Sequence, residues 1–317
     1  MKNELISVVI PTYNRKEVLR ETLNRIFCQD FEGAYEIILV DDCSTDGTEE
    51  LISAMHLPAG MKYFKNTSNL GRARTRNLGI GNASGDIIVM IDDDIWVEKD
   101  FLRKHCRMHV INEDVVVVGS VLPSYDLQGT FFNKFLSRRY EAILERMRSC
   151  SADLPYYFFR TGNVSLKKAV LEKAGPFDEN FCLYGGEDTE LGYSLKKSGY
   201  KLLHEEIVGW HNYDADLNYI TSKAYQKGRS SYYLVQKHPE LFRDMQFHSV
   251  FFEKSADLKN ALKYLFYSAP VVLSFQAVLM IASISNYRPA PVMEHLLGLL
   301  EWQCFAKGAR DAGKSAG

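Results

Sequence analysis

The chain has little of what would assign it quickly to a broad class. Its six cysteines (Cys28, Cys43, Cys106, Cys150, Cys182, Cys304) are scattered, with no C-x-x-C pair and no zinc spacing. That argues against a disulfide framework or a zinc module and for reduced thiols in a reducing compartment. Charge of one sign is missing too: 38 Lys and Arg stand against 40 Asp and Glu, a net charge of −2 with both signs interspersed. Bulk electrostatics therefore give no reason to expect a nucleic-acid partner. No low-complexity tract or repeat array is present, and no Pro/Gly/Ser-rich linker marks a domain boundary. Met1 is followed within a few residues by a strand pattern instead of a charged n-region and an apolar h-region. The expectation is a chain without a signal peptide, on the cytoplasmic side. Long hydrophobic runs are scarce as well. Val271 to Ile284 is apolar on most faces but shorter than the about 20 residues of a membrane span, and it carries Ser274, Gln276 and Ser283.

What the chain does have is an ordinary apolar fraction of 46%, with 18 Tyr and 18 Phe, over 317 residues. That is enough for one large domain or for a core domain with an appendage. Leu5 to Ile10 reads as a strand broken by Pro11, and the spacing of Val18, Leu19, Leu23 and Ile26 predicts a helix after it. The unit repeats. Strands are expected at 36–40, 62–66, 87–91 and 115–118. Helices are expected at 49–55, 71–80, 98–109, 130–148 and 187–198. Such alternation argues for a right-handed, mostly parallel α/β sheet. The glycine-rich stretch from Gly79 to Gly85 follows a helix and precedes a strand, the reverse of a dinucleotide fingerprint, so it reads as a turn. From Asn218 onward helical pattern dominates. The division expected is a sheet domain over 1–215 and a helical C-terminal appendage over 216–317.

Three consecutive aspartates, Asp92, Asp93 and Asp94, close the apolar run Ile87 to Ile91. Ligands of open α/β sheets bind beyond the carboxyl ends of strands, and carboxylates crowded there raise one another's pKa unless neutralised. Hard oxygen ligands of this kind attract Mg²⁺ or Mn²⁺, with a substrate phosphate completing the shell. The competing reading is a solvated acidic turn.

Six motifs in order decide between these readings. They are Val8-Val9-Ile10-Pro11-Thr12-Tyr13-Asn14-Arg15; Val40-Asp41-Asp42-Cys43-Ser44-Thr45-Asp46-Gly47-Thr48; Asn69-Leu70-Gly71 with Ala73-Arg74-Thr75-Arg76-Asn77; Asp92-Asp93-Asp94; Gly162-Asn163-Val164-Ser165-Leu166; and Gly185-Gly186-Glu187-Asp188. Together they resemble family 2 glycosyltransferases with the GT-A fold, over about residues 5–215. The resemblance implies that Pro11, Thr12 and Tyr13, with Asp41 or Asp42, read a nucleobase, and that one of Arg72, Arg74 and Arg76 approaches the nucleotide, Arg76 with Asn77 matching the family pattern best. An Asx turn with a helix cap is the other reading of 41–48, and solvated helix charges the other reading of the arginines. It further implies Asp92 on ribose or sugar, Asp94 on a divalent metal (Mn²⁺ or Mg²⁺), and Asp188 as general base in an inverting transfer, with Glu187 on a substrate hydroxyl. Acidic residues at a helix N-terminus also have a plain structural use. Asp93 is expected to face solvent or to orient its neighbours.

By the same resemblance His211 stands where a third metal ligand is often found, with His204 as its competitor. Asn163 contacts the donor sugar or satisfies turn backbone. Arg229, in Lys227-Gly228-Arg229, belongs to a basic loop over the diphosphate or to a solvated helix end. The partners implied are a nucleoside-diphosphate sugar and a glycan or lipid-linked acceptor. Lys259, Lys263 and Arg288 flank the run 271–284, which suits a helix on the inner face of an anionic membrane; a core or homo-oligomer contact is the alternative. Two rivals remain. A sugar-nucleotide nucleotidyltransferase needs a glycine-rich basic signature after the first strand, which Pro11 to Arg15 is not. A noncatalytic binding module would not need Asp92, Asp94 and Asp188 together.

Overall fold

The computed structural model describes residues 4–124, 130–150, 152–242 and 291–315, so the run 271–284 lies outside the described residues. The chain divides into two compact units. The first comprises Met1–Tyr125, Ser137–Cys182 and Glu187–Tyr213; the second comprises Asp126–Leu136, Leu183–Gly186 and Asp214–Gly317.

In order, the chain forms β1 (Ile6–Thr12), α1 (Lys16–Phe27), β2 (Tyr35–Asp41), α2 (Thr48–Ala54), β3 (Met61–Lys65), α3 (Arg72–Gly81), β4 (Ile87–Ile91), β5 (Ile95–Val97), α4 (Phe101–Ile111) and β6 (Val115–Pro123). There follow α5 (Phe131–Ser149), β7 (Asn163–Lys167), α6 (Lys168–Ala174), α7 (Glu187–Lys197), β8 (Lys201–His211), α8 (Leu217–Lys237) and α9 (Pro291–Ser315). The eight strands form one sheet in the order β3-β2-β1-β4-β7-β6-β8-β5.

The apolar run of β4 is continuous because both faces of that strand are covered. All five residues are fully buried, Ile88 and Met90 in one core cluster and Ile87, Val89 and Ile91 in the other. This is the period-2 alternation of a central strand, and each such side chain contributes about 1.5–3 kcal/mol on burial.

Strands β1 to β4 pair in parallel, as the βαβ spacing requires. The other half differs from a mostly parallel reading. β7 runs antiparallel to both β4 and β6, and β5 antiparallel to β8, while β6 and β8 are parallel. This mixing positions the site. The carboxyl ends of β1, β2 and β4 share one edge, and the reversed β7 brings its first residue, Asn163, to that edge opposite Ile91. The three-residue β5 lies where the sequence predicts only the approach to a helix. It exists because it pairs with the end of β8, Ile95 facing His211.

In the second unit, Asp216 caps α8 by accepting a hydrogen bond from the Tyr219 amide at 2.6 Å. Helices α8 and α9 cross so closely that a Cβ at Gly228 would collide with the Phe305 backbone, and one at Gly308 with that of Tyr225. Among the described residues no helix is long and apolar enough to cross a membrane.

Candidate functional site

The site grows from the loops at the carboxyl edge of the sheet. After β1, Asn14 takes a positive φ of 52°, and its amide donates to Ser44 Oγ at 2.8 Å while its side-chain oxygen accepts from the Thr45 amide at 2.8 Å. The loops after β1 and β2 are thereby tied together. Tyr13 stays 45% exposed beside them.

Asp41, expected at the ligand, is fully buried. Its oxygens accept from the Ser44 amide and the Tyr63 hydroxyl, both at 2.8 Å. Asp42 is equally engaged, accepting from Asn66 Nδ2 and from the amides of Leu70 and Gly71. Both carboxylates shape loops in this structure, which is the Asx-turn side of the expectation.

The three aspartates diverge. Asp93 is buried, accepts from Thr12 Oγ1 at 2.8 Å and lies 3.5 Å from Arg15 Nη1. Burial and the neighbouring Asp94 push its carboxyl up to about 7 despite Arg15 and Thr12. Asp94 Oδ2 accepts from Arg15 Nη1 and stands 3.1 Å from His211 Nε2. Burial opposes its charge, but His211 and Arg15 overcome this and hold it well below the usual carboxylate range. Asp94 Oδ1 and His211 Nδ1 are buried without a hydrogen-bond partner. The His211 ring is held edge-on by Tyr140 at 5.4 Å and beside Tyr213 at 4.8 Å. The strand pairing Ile95 to His211 and the bond from the Asn212 amide to the Asp94 carbonyl, 2.8 Å, bring together side chains 117 positions apart. His204 is elsewhere, bonded to Ser120 Oγ at 3.0 Å and lining a cavity of about 310 Å³ with Met108, Met147 and Arg148.

Asp92 is joined to Glu187 by one guanidinium. Arg76 is 1% exposed; its Nη2 donates to Asp92 Oδ1 at 2.7 Å and its Nη1 to Glu187 Oε1 at 3.2 Å. Burial works against a charged Asp92, yet Arg76 holds its carboxyl below the usual value. Glu187 goes the other way, raised by burial and then by Asp188, and its Oε2 is buried without a partner. Gly185 and Gly186, at φ 81° and 100°, turn the chain into α7, a conformation open to glycine at little cost. Asp188 is half-buried, and its Oδ1 accepts from the Thr189 amide at 2.9 Å.

For Asn163 the backbone side of the expectation is the one seen here, and for Arg229 neither side is. Asn163 Nδ2 donates to the carbonyls of Ser120 (3.0 Å) and Ile207 (2.7 Å), and Oδ1 meets His105 Nε2 at 3.0 Å. Arg229 is in neither a loop nor a helix end. It lies inside the 21-residue α8, where Gly228 serves the close approach of α9. Sequence reasoning also passed over Arg15 as a site residue, and over His105 and His109, which meet Ser165 Oγ at 2.7 and 2.8 Å. The signals were a basic residue just after a loop at a strand's carboxyl end, and histidines four apart on one helix.

A divalent cation fits the donor set at Asp94 and His211. Their facing atoms are 3.1 Å apart, close to the about 3.0 Å edge of an octahedron with metal–ligand distances of about 2.1 Å. Among the described residues no three His, Cys, Asp or Glu converge on one position. Asp94 and His211 would hold such a divalent ion as its two protein ligands.

The family model of glycosyl transferase family 2 matches residues 7–174, just over half of the chain. A second, the N-terminal domain of galactosyltransferase, matches 142–216. An uncharacterised glycosyltransferase of Bacillus subtilis, YfnE, is 28% identical over 250 residues, spanning 65% of this chain and 64% of that protein. The chondroitin synthase of Escherichia coli is 27% identical over 269 residues, 75% of this chain and 39% of that protein. The chain thus spans less than two thirds of the length of either. Among solved structures, the mannosyltransferase PcManGT of Pyrobaculum calidifontis, in complex with GDP-Man and Mn²⁺, superposes with a TM-score of 0.61 at 18% identity, covering 96% of this chain and 86% of that one. TarS of Staphylococcus aureus with UDP gives 0.54 at 16%, covering 98% and 91%. At these identities the superpositions establish a shared fold.

Proposed function

The chain belongs to glycosyl transferase family 2, and from that premise we propose that it moves a sugar from a nucleoside-diphosphate sugar to an acceptor hydroxyl, with inversion at the anomeric carbon. The observation that carries the reading is the meeting of Asp94 Oδ2 and His211 Nε2 at 3.1 Å, from residues 117 positions apart. Two side chains assembled from such distance, at a sheet edge where α/β folds bind ligands, suit a bound cation better than a fold contact.

In this reading Tyr13 and the tied loops after β1 and β2 receive the nucleoside, with Pro11 and Thr12 forming the backbone wall and Asp41 shaping the loop from within. Asp94 and His211 hold Mn²⁺ or Mg²⁺, whose chemistry is to stabilise negative charge on the departing nucleoside diphosphate. Asp92 orients the ribose or sugar. Arg76 keeps Asp92 ionised and fixed relative to Glu187. Glu187 offers its unpartnered Oε2 to a substrate hydroxyl. Asp188 takes the proton of the acceptor hydroxyl as that oxygen bonds to the anomeric carbon, and the bond to the diphosphate breaks on the opposite face. Arg229 has no part in this reading. The relatives named chondroitin synthase favour a glycan acceptor, and the donor base stays open.

The test is calorimetry of the full chain with UDP, GDP and dTDP and their sugars, each with Mn²⁺ and with EDTA. Tighter binding of one nucleoside diphosphate with metal is expected; equal affinity in EDTA would sink the metal assignment, and no binding of any of them the function.

A further inference from the structure

We propose that Arg15 is the resident counter-ion of the cation position: its guanidinium holds the Asp94 carboxylate when no metal is there, so a divalent ion is admitted together with a diphosphate and only weakly alone. This rests on the metal reading above and adds an order of loading to it. Arg15 Nη1 pairs with Asp94 Oδ2, the oxygen that also faces His211, and reaches toward Asp93. A cation held between Asp94 Oδ2 and His211 Nε2 would lie against the same oxygen as this N–H. Two positive groups so close repel, and one of them must leave.

Burial decides which. The Asp94 side chain is 5% exposed at the end of a central strand, whereas that of Arg15 is 31% exposed and sits at the start of α1. The strand cannot yield, and the arginine can swing outward. Charge points the same way. Asp92, Asp93 and Asp94 are already ion-paired with Arg15 and Arg76, and Arg72 adds its charge near Asp92. A bare dication adds charge to a cluster largely neutralised. A dication carrying a diphosphate brings its own anion, and the displaced guanidinium, a planar fork suited to phosphate oxygens, then lies beside it.

The experiment measures Mn²⁺ binding by calorimetry to the full chain as wild type, Arg15→Met and Arg15→Lys, first without nucleotide and then with saturating UDP or GDP. An adjacent arginine lowers the proton affinity of a carboxylate by about ten- to a thousandfold, and a dication at the same oxygen meets the same repulsion. Arg15→Met should therefore bind Mn²⁺ alone at least about tenfold tighter than wild type. Arg15→Lys should stay near wild type, and nucleotide should sharpen Mn²⁺ binding less in Arg15→Met than in wild type. Equal or weaker Mn²⁺ binding by Arg15→Met overturns the proposal. If neither UDP nor GDP binds any variant, the functional reading fails while the nucleotide-free comparison still decides the role of Arg15. Absence of Mn²⁺ binding in all three proteins overturns both.

Discussion

Acidification should unlock the fold through two histidines that the reaction does not use. His105 is fully buried and His109 nearly so. Their hydrogen bonds fix their protons. Asn163 Nδ2 donates to two carbonyls, so its Oδ1 must accept from His105 Nε2–H. His105 Nδ1 then accepts from the Ser165 hydroxyl, whose oxygen accepts from His109 Nε2–H. A charged His105 would turn its acceptor nitrogen into a donor facing a donor. Burial lowers His105 to about 3, with His109 adding to the fall, and lowers His109 to about 4, with Lys167 adding to that. Both folded values lie below the unfolded value of about 6.5, so the unfolded chain takes up protons first and stability is lost as pH falls. Between pH 7 and pH 5 each histidine costs ~2 kcal/mol. This figure is set by the unfolded value as long as the folded values stay below 5. Asp93, raised to about 7, pulls the opposite way over this range, so the comparison must cancel it. Urea unfolding of wild type and of His105→Gln/His109→Gln, each at pH 7 and pH 5, does so. Glutamine can keep donor and acceptor without titrating. Wild type should lose ~4 kcal/mol more than the double variant across that interval. Parallel pH profiles for the two proteins would refute the neutral, proton-ordered pair.

Asp188→Asn should preserve donor Kd and lower turnover by about 10² to 10⁴, as removal of a general base does; near-normal turnover would return Asp188 to helix capping and make Glu187 the next candidate. Asp94→Ala should abolish the metal dependence of nucleoside-diphosphate binding seen by calorimetry, because His211 alone is a weak site for a hard cation. Arg76→Met should cost about 3–5 kcal/mol in urea unfolding at pH 7, since it leaves Glu187 buried without its cation and strips the partly exposed Asp92 of the same partner. Adding Glu187→Gln should recover part of that loss, and no recovery would argue that the two carboxylates do not share Arg76.

The parallel half of the sheet was legible because its signals are local. The apolar runs at 6–10, 36–40 and 87–91 alternate with helical spacing, and short βαβ connections leave few topologies. β5 was not legible. Three residues carry no periodicity, and that strand exists through its pairing with β8, more than a hundred positions along the chain. The antiparallel placement of β7 is likewise a long-range fact, and it sets which side of the Asn163 expectation the structure shows. An amide at a strand start gives no sign in the sequence that β6 offers it the Ser120 carbonyl and β8 the Ile207 carbonyl.

The same distinction runs through the site. Asp94 and His211 were brought to one metal only by the family resemblance, since no strand was expected to end at His211 and β8 supplies that placement. Arg76 could be marked as important but not assigned, because a helical arginine looks the same from sequence whether it meets a phosphate or two carboxylates. In the structure Arg76 is 1% exposed and bridges Asp92 and Glu187, which supports reading it as an internal cation. It links the carboxylate on the proposed donor side to the helix that carries the proposed base. If so, errors at Arg76 should disturb both halves of the reaction at once. Arg76→Lys, whose single ammonium cannot span the two partners, should therefore weaken donor affinity and turnover together. Asp188→Asn should touch turnover alone. A variant of Arg76 that lost only donor affinity would instead put that arginine on the nucleotide, where the sequence first suggested it.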